Sequence, residues 1–110
     1  MSKRIDQYSV YWVDLNPTEG AEISKIRPCV VISPIEMNHH LRTIIIAPIT
    51  TTGREGYPTR VRIAGSEIEG WIVLDQIRAI DKTRLRRKTG ELSPEEVSKV
   101  KSIIKEMLVD

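Results

Sequence analysis

The amino-acid sequence predicts a mainly β domain with one C-terminal α-helix, built as a small barrel or a strongly bent sheet. Three features carry this expectation. Residues 28–33 (PCVVIS) and 43–50 (TIIIAPIT) are unbroken β-branched runs, the pattern of strands buried on both faces or rolled into a barrel. Shorter apolar stretches recur along the chain between Gly, Pro and Asn punctuation. The clearest helical period lies in the last segment.

In chain order, residues 8–15 (YSVYWVDL) set the β-formers Tyr8, Val10 and Trp12 before an Asn16-Pro17 turn, which makes a first strand. Residues 16–26 hold Pro17, Gly20 and several charges without a sustained period, a loop of the length that in small domains is often functional. The two β-branched runs follow, with Pro34 and Pro48 expected at their ends or edges. The polar segment 36–42 between them makes a turn or a short helix. Residues 50–58 (TTTGREGYP) form a second loop, and 59–64 alternates Arg60 and Arg62 with Val61 and Ile63, as a half-solvated strand does. Beyond Gly65 and Gly70, residues 71–74 and 76–80 read as two short strands broken at Asp75. The helix opens at Ser93-Pro94-Glu95-Glu96, which supplies a capping hydroxyl, a proline at the first helical position and a glutamate able to bond back to the cap. Val97, Val100, Ile103, Ile104, Met107 and Leu108 then form one apolar stripe.

A chain of 110 residues supports one core, so residues 1–110 are expected to be a single domain. With 40% hydrophobic and 29% charged residues, the composition is that of a globular protein and excludes disordered or collagen-like classes. The net charge of +2 is too small to announce a nucleic-acid partner by itself. Cys29 is the only cysteine and cannot form an internal disulfide, which suits a reducing compartment. No apolar run approaches the ~20 residues of a bilayer span, and the first residues lack a signal-peptide core. The expectation is a cytoplasmic protein with no membrane partner and no cofactor.

Common catalytic signatures are missing from the sequence. His39 and His40 are adjacent, so they diverge on any regular element and cannot easily share a metal. The phosphate-cradling, dinucleotide and nucleophile-elbow glycine motifs are absent. The histidines keep acid–base capacity, but their polar connecting segment places them at the surface. What remains is a set of polar residues at strand ends beside the two loops. Arg27 stands where the first loop rejoins a strand and Thr50 at the mouth of the second, while Asp75, Gln76 and Arg78 interrupt an apolar strand pair. Such residues either satisfy local hydrogen bonds or form a site.

The order of the motifs favours a site. WVDLNPTEGAE (12–22), IRPCVVISP (26–34), APITT (47–51), GYP (56–58) and LDQIRAID (74–81), spread over about residues 10–108, resemble the MazF/PemK (Kid) family of toxin endoribonucleases. The resemblance implies a small SH3-like β-barrel with a C-terminal helix, and a homodimer. It implies sequence-selective, metal-independent cleavage of single-stranded RNA such as mRNA to a 2′,3′-cyclic phosphate and a 5′-hydroxyl, inhibiting translation, and restraint by a cognate antitoxin protein. It also assigns roles residue by residue. Arg27 matches the arginine of the RP motif and Thr50 the threonine of the PIT motif, the pair usually given catalytic roles. Attack of a ribose 2′-hydroxyl on its own phosphate builds charge on the phosphate oxygens, which a guanidinium stabilises through several donors. A guanidinium with a pKa above ~12 is hardly a base, so Arg27 is expected to act chiefly as an electrostatic clamp while the Thr50 hydroxyl orients the phosphate.

Around that pair, the resemblance places Glu22 in the acidic position of a GxE loop. It sets Asn16, Thr18, Thr51, Asp75 and Gln76 near the RNA path, where amides and carboxylates read unstacked base edges. Arg78 either contacts phosphate or pairs with Asp75 or Asp81. Two departures stand out: Lys25 occupies the place where relatives usually carry glycine, and Ile23 replaces a glutamine. Lys25 would add a phosphate contact and with it salt dependence. The same fold also hosts a non-enzymatic gyrase poison, which would need neither Arg27 nor Thr50, and a plain RNA-binding barrel is a third reading. The run 82–88 sets five cations in seven residues without an acid, to grip RNA, bind an acidic antitoxin segment or form a solvated turn before the helix. Trp12 and Trp71 could stack on bases, although their apolar strand context favours core or dimer packing. Cys29 is expected to be a small buried hydrophobe.

Overall fold

β-Branched and aromatic residues dominate the strands of the protein, whose computed structural model describes residues 4–16, 20, 25–52, 58–64 and 67–109. The elements run β1 (Ser9–Asp14), β2 (Ile26–Val31), α1 (Ile35–His40), β3 (Thr43–Thr50), β4 (Arg60–Ile63), β5 (Gly70–Val73), β6 (Arg78–Asp81), β7 (Leu85–Glu91) and α2 (Pro94–Ile104). The seven strands form one sheet in the order β4-β5-β3-β2-β1-β7, with β6 also pairing β3. Every pairing is antiparallel. Short 3₁₀ turns at Leu74–Gln76 and Lys82–Arg84 join β5 to β6 and β6 to β7. The first of these turns is the break expected at Asp75.

The two β-branched runs are buried on both faces. Cys29 and Val31 of β2 join Ile44 and Ile46 of β3 in one apolar cluster with Tyr11, Val13 and Leu15. The alternate residues Val30, Ala47 and Ile49 face a second cluster with Val61, Ile72, Leu74 and Val100 of α2. β6 and β7 hang from different strands, yet Ile80 and Leu85 both pack on the first cluster, so the sheet curls around it. This is the bent, barrel-like wall that the periodicity predicts. The α2 start is also as expected: the Ser93 hydroxyl accepts the Glu96 N–H, and the Glu96 carboxylate accepts the Ser93 N–H. The apolar stripe packs as far as Met107, whereas Leu108 is exposed.

Three expectations need correction. Pro48 lies inside β3 rather than at its end. It is tolerated because β3 exchanges partners there: the ladder to β6 ends at Ile46 and the ladder to β5 begins at Ile49. A residue without an N–H falls in the gap between them. Pro28 is likewise inside β2, which begins at Ile26 and so brings Arg27 into the sheet. The basic run is a turn only over Lys82–Arg84; its second half becomes β7, an outer strand paired with β1. Charged side chains on a sheet edge discourage pairing with other chains, and that role overrides their weak strand propensity.

Polar segment 36–42 yields the short helix α1, anchored by a buried side chain. Asn38 donates through Nδ2 to the Ile5 carbonyl at 2.9 Å and to the Ser33 carbonyl at 3.0 Å. The Ser33 hydroxyl bonds Asn38 Oδ1 and accepts the Ile45 N–H at 3.0 Å. Among the described residues no buried side-chain polar atom lacks a partner.

Candidate active site

The two leading candidates lie just beyond the same end of the β2–β3 ladder. The β2–β3 ladder pairs Val31 with Ile46, Val30 with Ala47 and Cys29 with Pro48. The ladder ends at Cys29–Pro48, and continuing its register two residues farther points Arg27 toward Thr50. Directly opposed residues of an antiparallel pair carry their Cβ atoms on one face, about 4.5–5.5 Å apart. Arg27 is half-buried and Thr50 is 7% exposed. Both therefore share a face with Cys29 and Pro48, at the end of the first apolar cluster.

Thr50 is held from two sides. Its hydroxyl accepts the Thr52 N–H at 3.2 Å and lies 3.0 Å from the Thr52 hydroxyl. In this local turn the hydroxyl oxygen accepts a backbone N–H, and the hydroxyl itself donates to the Thr52 carbonyl at 3.5 Å. From β5, Gly70 approaches so closely that an added Cβ would stand 2.4 Å from the Thr50 carbonyl oxygen.

A second cation lies one strand over. Arg78 of β6 pairs with Ile46, which shares the face of Pro48 and Thr50. Burial pushes the Cys29 thiol up to about 12, with Arg78 and then Arg27 pulling it back. Both guanidiniums are therefore felt at one buried atom on that face. Arg78 pairs with neither of the carboxylates proposed for it: Nη1 donates to the Leu15 carbonyl at 3.5 Å. Asp75 instead accepts the Thr59 hydroxyl at 2.8 Å, and Asp81 accepts the Thr83 N–H at 2.9 Å. That last bond, ahead of more distant cations, holds the Asp81 carboxyl below its usual range.

The base of the first loop is clamped by the basic run. Asn16 donates its N–H to Asp14 at 3.0 Å, and its side-chain oxygen accepts the Lys25 N–H at 3.0 Å. Arg84 donates to the carbonyls of Asn16 and Asp14, and Arg86 reaches the Asp14 carboxylate at 3.4 Å. Lys25 has a φ of +74°, the left-handed region that glycine enters freely and that costs other residues roughly 1–2 kcal/mol. Lys25 thus adopts a conformation that suits glycine, with its N–H held by Asn16.

The remaining candidates are more scattered. Thr51 and Asp75 are exposed and Gln76 is half-buried. Thr18, Glu22 and Ile23 lie outside the described residues. Thr52 escaped sequence reasoning, although its i+2 spacing from Thr50 was the available signal. Nothing local signals Arg84, which is 68 residues from Asn16. Among the described residues no group of three or more His, Cys, Asp or Glu side chains could hold a metal ion. The arrangement offers two guanidiniums and an alcohol beside an apolar wall, which is suited to gripping an oxyanion.

Comparison with known proteins extends this picture. Residues 6–108 match a family model described as PemK-like, MazF-like toxin of type II toxin-antitoxin system. The chain is 36% identical over 100 residues to the endoribonuclease toxin MazF of Escherichia coli K12, covering 90% of this chain and 89% of that one. The crystal structure of MazF from Deinococcus radiodurans superposes with a TM-score of 0.87 at 24% identity, covering 97% and 98% of the two chains. An endoribonuclease in complex with its cognate antitoxin from a mycobacterial species superposes with a TM-score of 0.81 at 25% identity, covering 94% of each.

Proposed function

We propose how this chain, which belongs to the PemK-like, MazF-like toxin family of type II toxin–antitoxin systems and is a MazF-like endoribonuclease, cuts its substrate. Arg27 grips the non-bridging oxygens of a phosphodiester in single-stranded RNA, with Arg78 adding positive field from the next strand. The 2′-hydroxyl of the preceding ribose loses its proton and attacks phosphorus. The bond to the 5′-oxygen breaks and that oxygen takes up a proton, which leaves a 2′,3′-cyclic phosphate and a 5′-hydroxyl. Charge that develops on the phosphate is met by donors already in place, the form of stabilisation that is worth most in a partly desolvated site. Arg27 works as a clamp rather than a base, because its pKa is above ~12. Thr50 donates its hydroxyl proton to the phosphate and orients it.

The observation that supports this reading is the β2–β3 register, which, continued past its last pair Cys29–Pro48, points Arg27 toward Thr50. Asn16, Lys25, Thr51, Asp75 and Gln76, with Thr18 and Glu22 of the first loop, are proposed to follow the RNA path. The natural setting is a homodimer in the cytoplasm, checked by an antitoxin protein laid over that path, as a mycobacterial relative is found with its own antitoxin. No helix among the described residues is long and apolar enough to cross a membrane. The test is incubation of the purified protein with a long single-stranded RNA in excess EDTA. Discrete fragments with 5′-hydroxyl and cyclic-phosphate ends are expected. Arg27→Ala should lower cleavage by about 100-fold or more, as loss of one oxyanion donor does. Retention of more than about a tenth of wild-type activity would remove Arg27 from this role.

A further inference from the structure

We infer that Trp71 and Arg62 form a stacking subsite for one base of the RNA next to the scissile phosphate, an inference that rests on the proposed reading of Arg27 and Thr50. The cross-strand row that begins with those two residues continues outward. Thr50 of β3 is directly opposed by Trp71 of β5, and Trp71 by Arg62 of β4. Neighbouring strands lie about 4.8 Å apart, so the indole starts one strand spacing from the Thr50 hydroxyl and the guanidinium one spacing beyond. The guanidinium carbon of Arg62 stands 5.9 Å from the Trp71 ring centroid, within cation–π range.

Trp71 is not a core residue. Its neighbour Ile72 is fully buried in the second cluster, whereas Trp71 is half-buried on the opposite side of the strand. Its indole instead borders an open groove of about 460 Å³, lined also by Arg60, Arg62, Lys99, Ser102 and Ile103. That volume lies within the ~300–1,000 Å³ typical of small-ligand sites. Among the described residues three cations and no carboxylate line it. An aromatic face for a base beside positive groups for the backbone is the chemistry with which proteins hold single-stranded nucleic acid. Trp71 faces Thr50 across the β3–β5 ladder, so a base stacked on the indole belongs to a nucleotide flanking the cut.

The test measures binding of a short single-stranded RNA carrying a 2′-deoxy sugar at the cleavage position, which blocks the attack but leaves the bases intact. Trp71→Ala should weaken binding by about 5- to 100-fold, the range seen when a stacked base loses its aromatic partner, and Trp71→Phe should stay within about threefold of wild type. Arg62→Gln should lower the slope of log affinity against log salt by about 0.7, one phosphate contact on a single strand. An abasic nucleotide at one position flanking the cut should abolish the effect of Trp71→Ala, while abasic sites elsewhere should not. Wild-type affinity in Trp71→Ala, or equal losses at every abasic position, would overturn the subsite. So would a fall in oligomeric mass of Trp71→Phe or Arg62→Gln with RNA affinity unchanged, because the row would then serve a second copy of the chain. If the wild-type protein fails to cleave any RNA, the parent reading fails; if it cleaves and the Trp71 and Arg62 variants bind normally, only the subsite does.

Discussion

Gly70→Ala tests whether the position of Thr50 governs cleavage. The added methyl group would sit 2.4 Å from the Thr50 carbonyl oxygen, 3.1 Å from its carbonyl carbon and 3.2 Å from Ile49 Cγ2. Ordinary contact begins at 3.4 Å, so the β3 backbone must retreat by 3.4 − 2.4 = 1.0 Å or β5 must do so. No flexible side-chain end absorbs this, because the nearest atoms are backbone. The φ of +155° at Gly70 adds strain for any residue with a Cβ. Overpacking of this kind costs about 1–3 kcal/mol, which for a domain near this size lowers Tm by about 4–12 °C. Misplacement of a catalytic group by ~1 Å costs on the order of 100-fold in rate. The expected result is a folded variant with a lower Tm, kcat down by about two orders of magnitude and KM little changed. Gly90→Ala is the control, since a Cβ there meets nothing within 4 Å. A Gly70→Ala protein that loses stability and still turns over at the wild-type kcat would refute the claim that Thr50 placement limits the chemistry.

Three other changes probe the scaffold. Lys25→Gly relieves the left-handed cost at φ +74° and loosens the unfolded chain by a similar amount, so urea midpoints should move by less than about 1 kcal/mol. RNA affinity should become less salt-dependent by about 0.7 in log–log slope, and an unchanged slope would take Lys25 off the phosphate path. Asn38→Ala leaves the Ile5 and Ser33 carbonyls without their buried donor, and chemical denaturation should show a loss of about 1–3 kcal/mol per group left unpaired; a wild-type midpoint would contradict the network. For Cys29 the folded thiol stands at about 12 against 9.0 when unfolded, so its contribution is complete below pH 9 and lost as pH rises toward about 12. Denaturation above pH 9 should show Cys29→Val losing less stability than wild type, by about 1.4 kcal/mol per pH unit, and parallel curves would disprove the burial effect.

Local pattern was enough where burial was uniform or capping was sequential. The two β-branched runs declared strands covered on both faces, and Ser93-Pro94-Glu95-Glu96 declared the start of α2, because these signals depend on neighbours in the chain. β7 was hidden because its Arg- and Lys-rich sequence has no strand propensity and becomes a strand only through pairing with β1. Pro48 misled for the same reason, since its tolerance depends on which strands lie on either side. Arg27 and Thr50 were visible through motif order, but their apposition depends on a register between residues far apart in the chain. The long-range bonds of Arg84 and Arg78 to the carbonyls at the end of β1 have no sequence signature at all.

β3 explains why these residues converge. Along its length it meets three strands, and each brings one residue of the proposed site, Arg78 four residues farther back along β3 than Trp71. β2 brings Arg27, β6 brings Arg78 and, once Pro48 has interrupted the ladder, β5 brings Trp71. Because β3 carries an apolar cluster on both faces, Thr50 ends a segment that cannot shift without disturbing one core or the other. Preorganised electrostatic catalysis requires such stiffness, since donors must already stand where charge will develop. In the proposed reading a phosphodiester brings its negative charge to the face where Arg78 and Arg27 both act on the buried Cys29 thiol. The apolar cluster beside them lowers the local dielectric, which in that reading strengthens their hold on the phosphate.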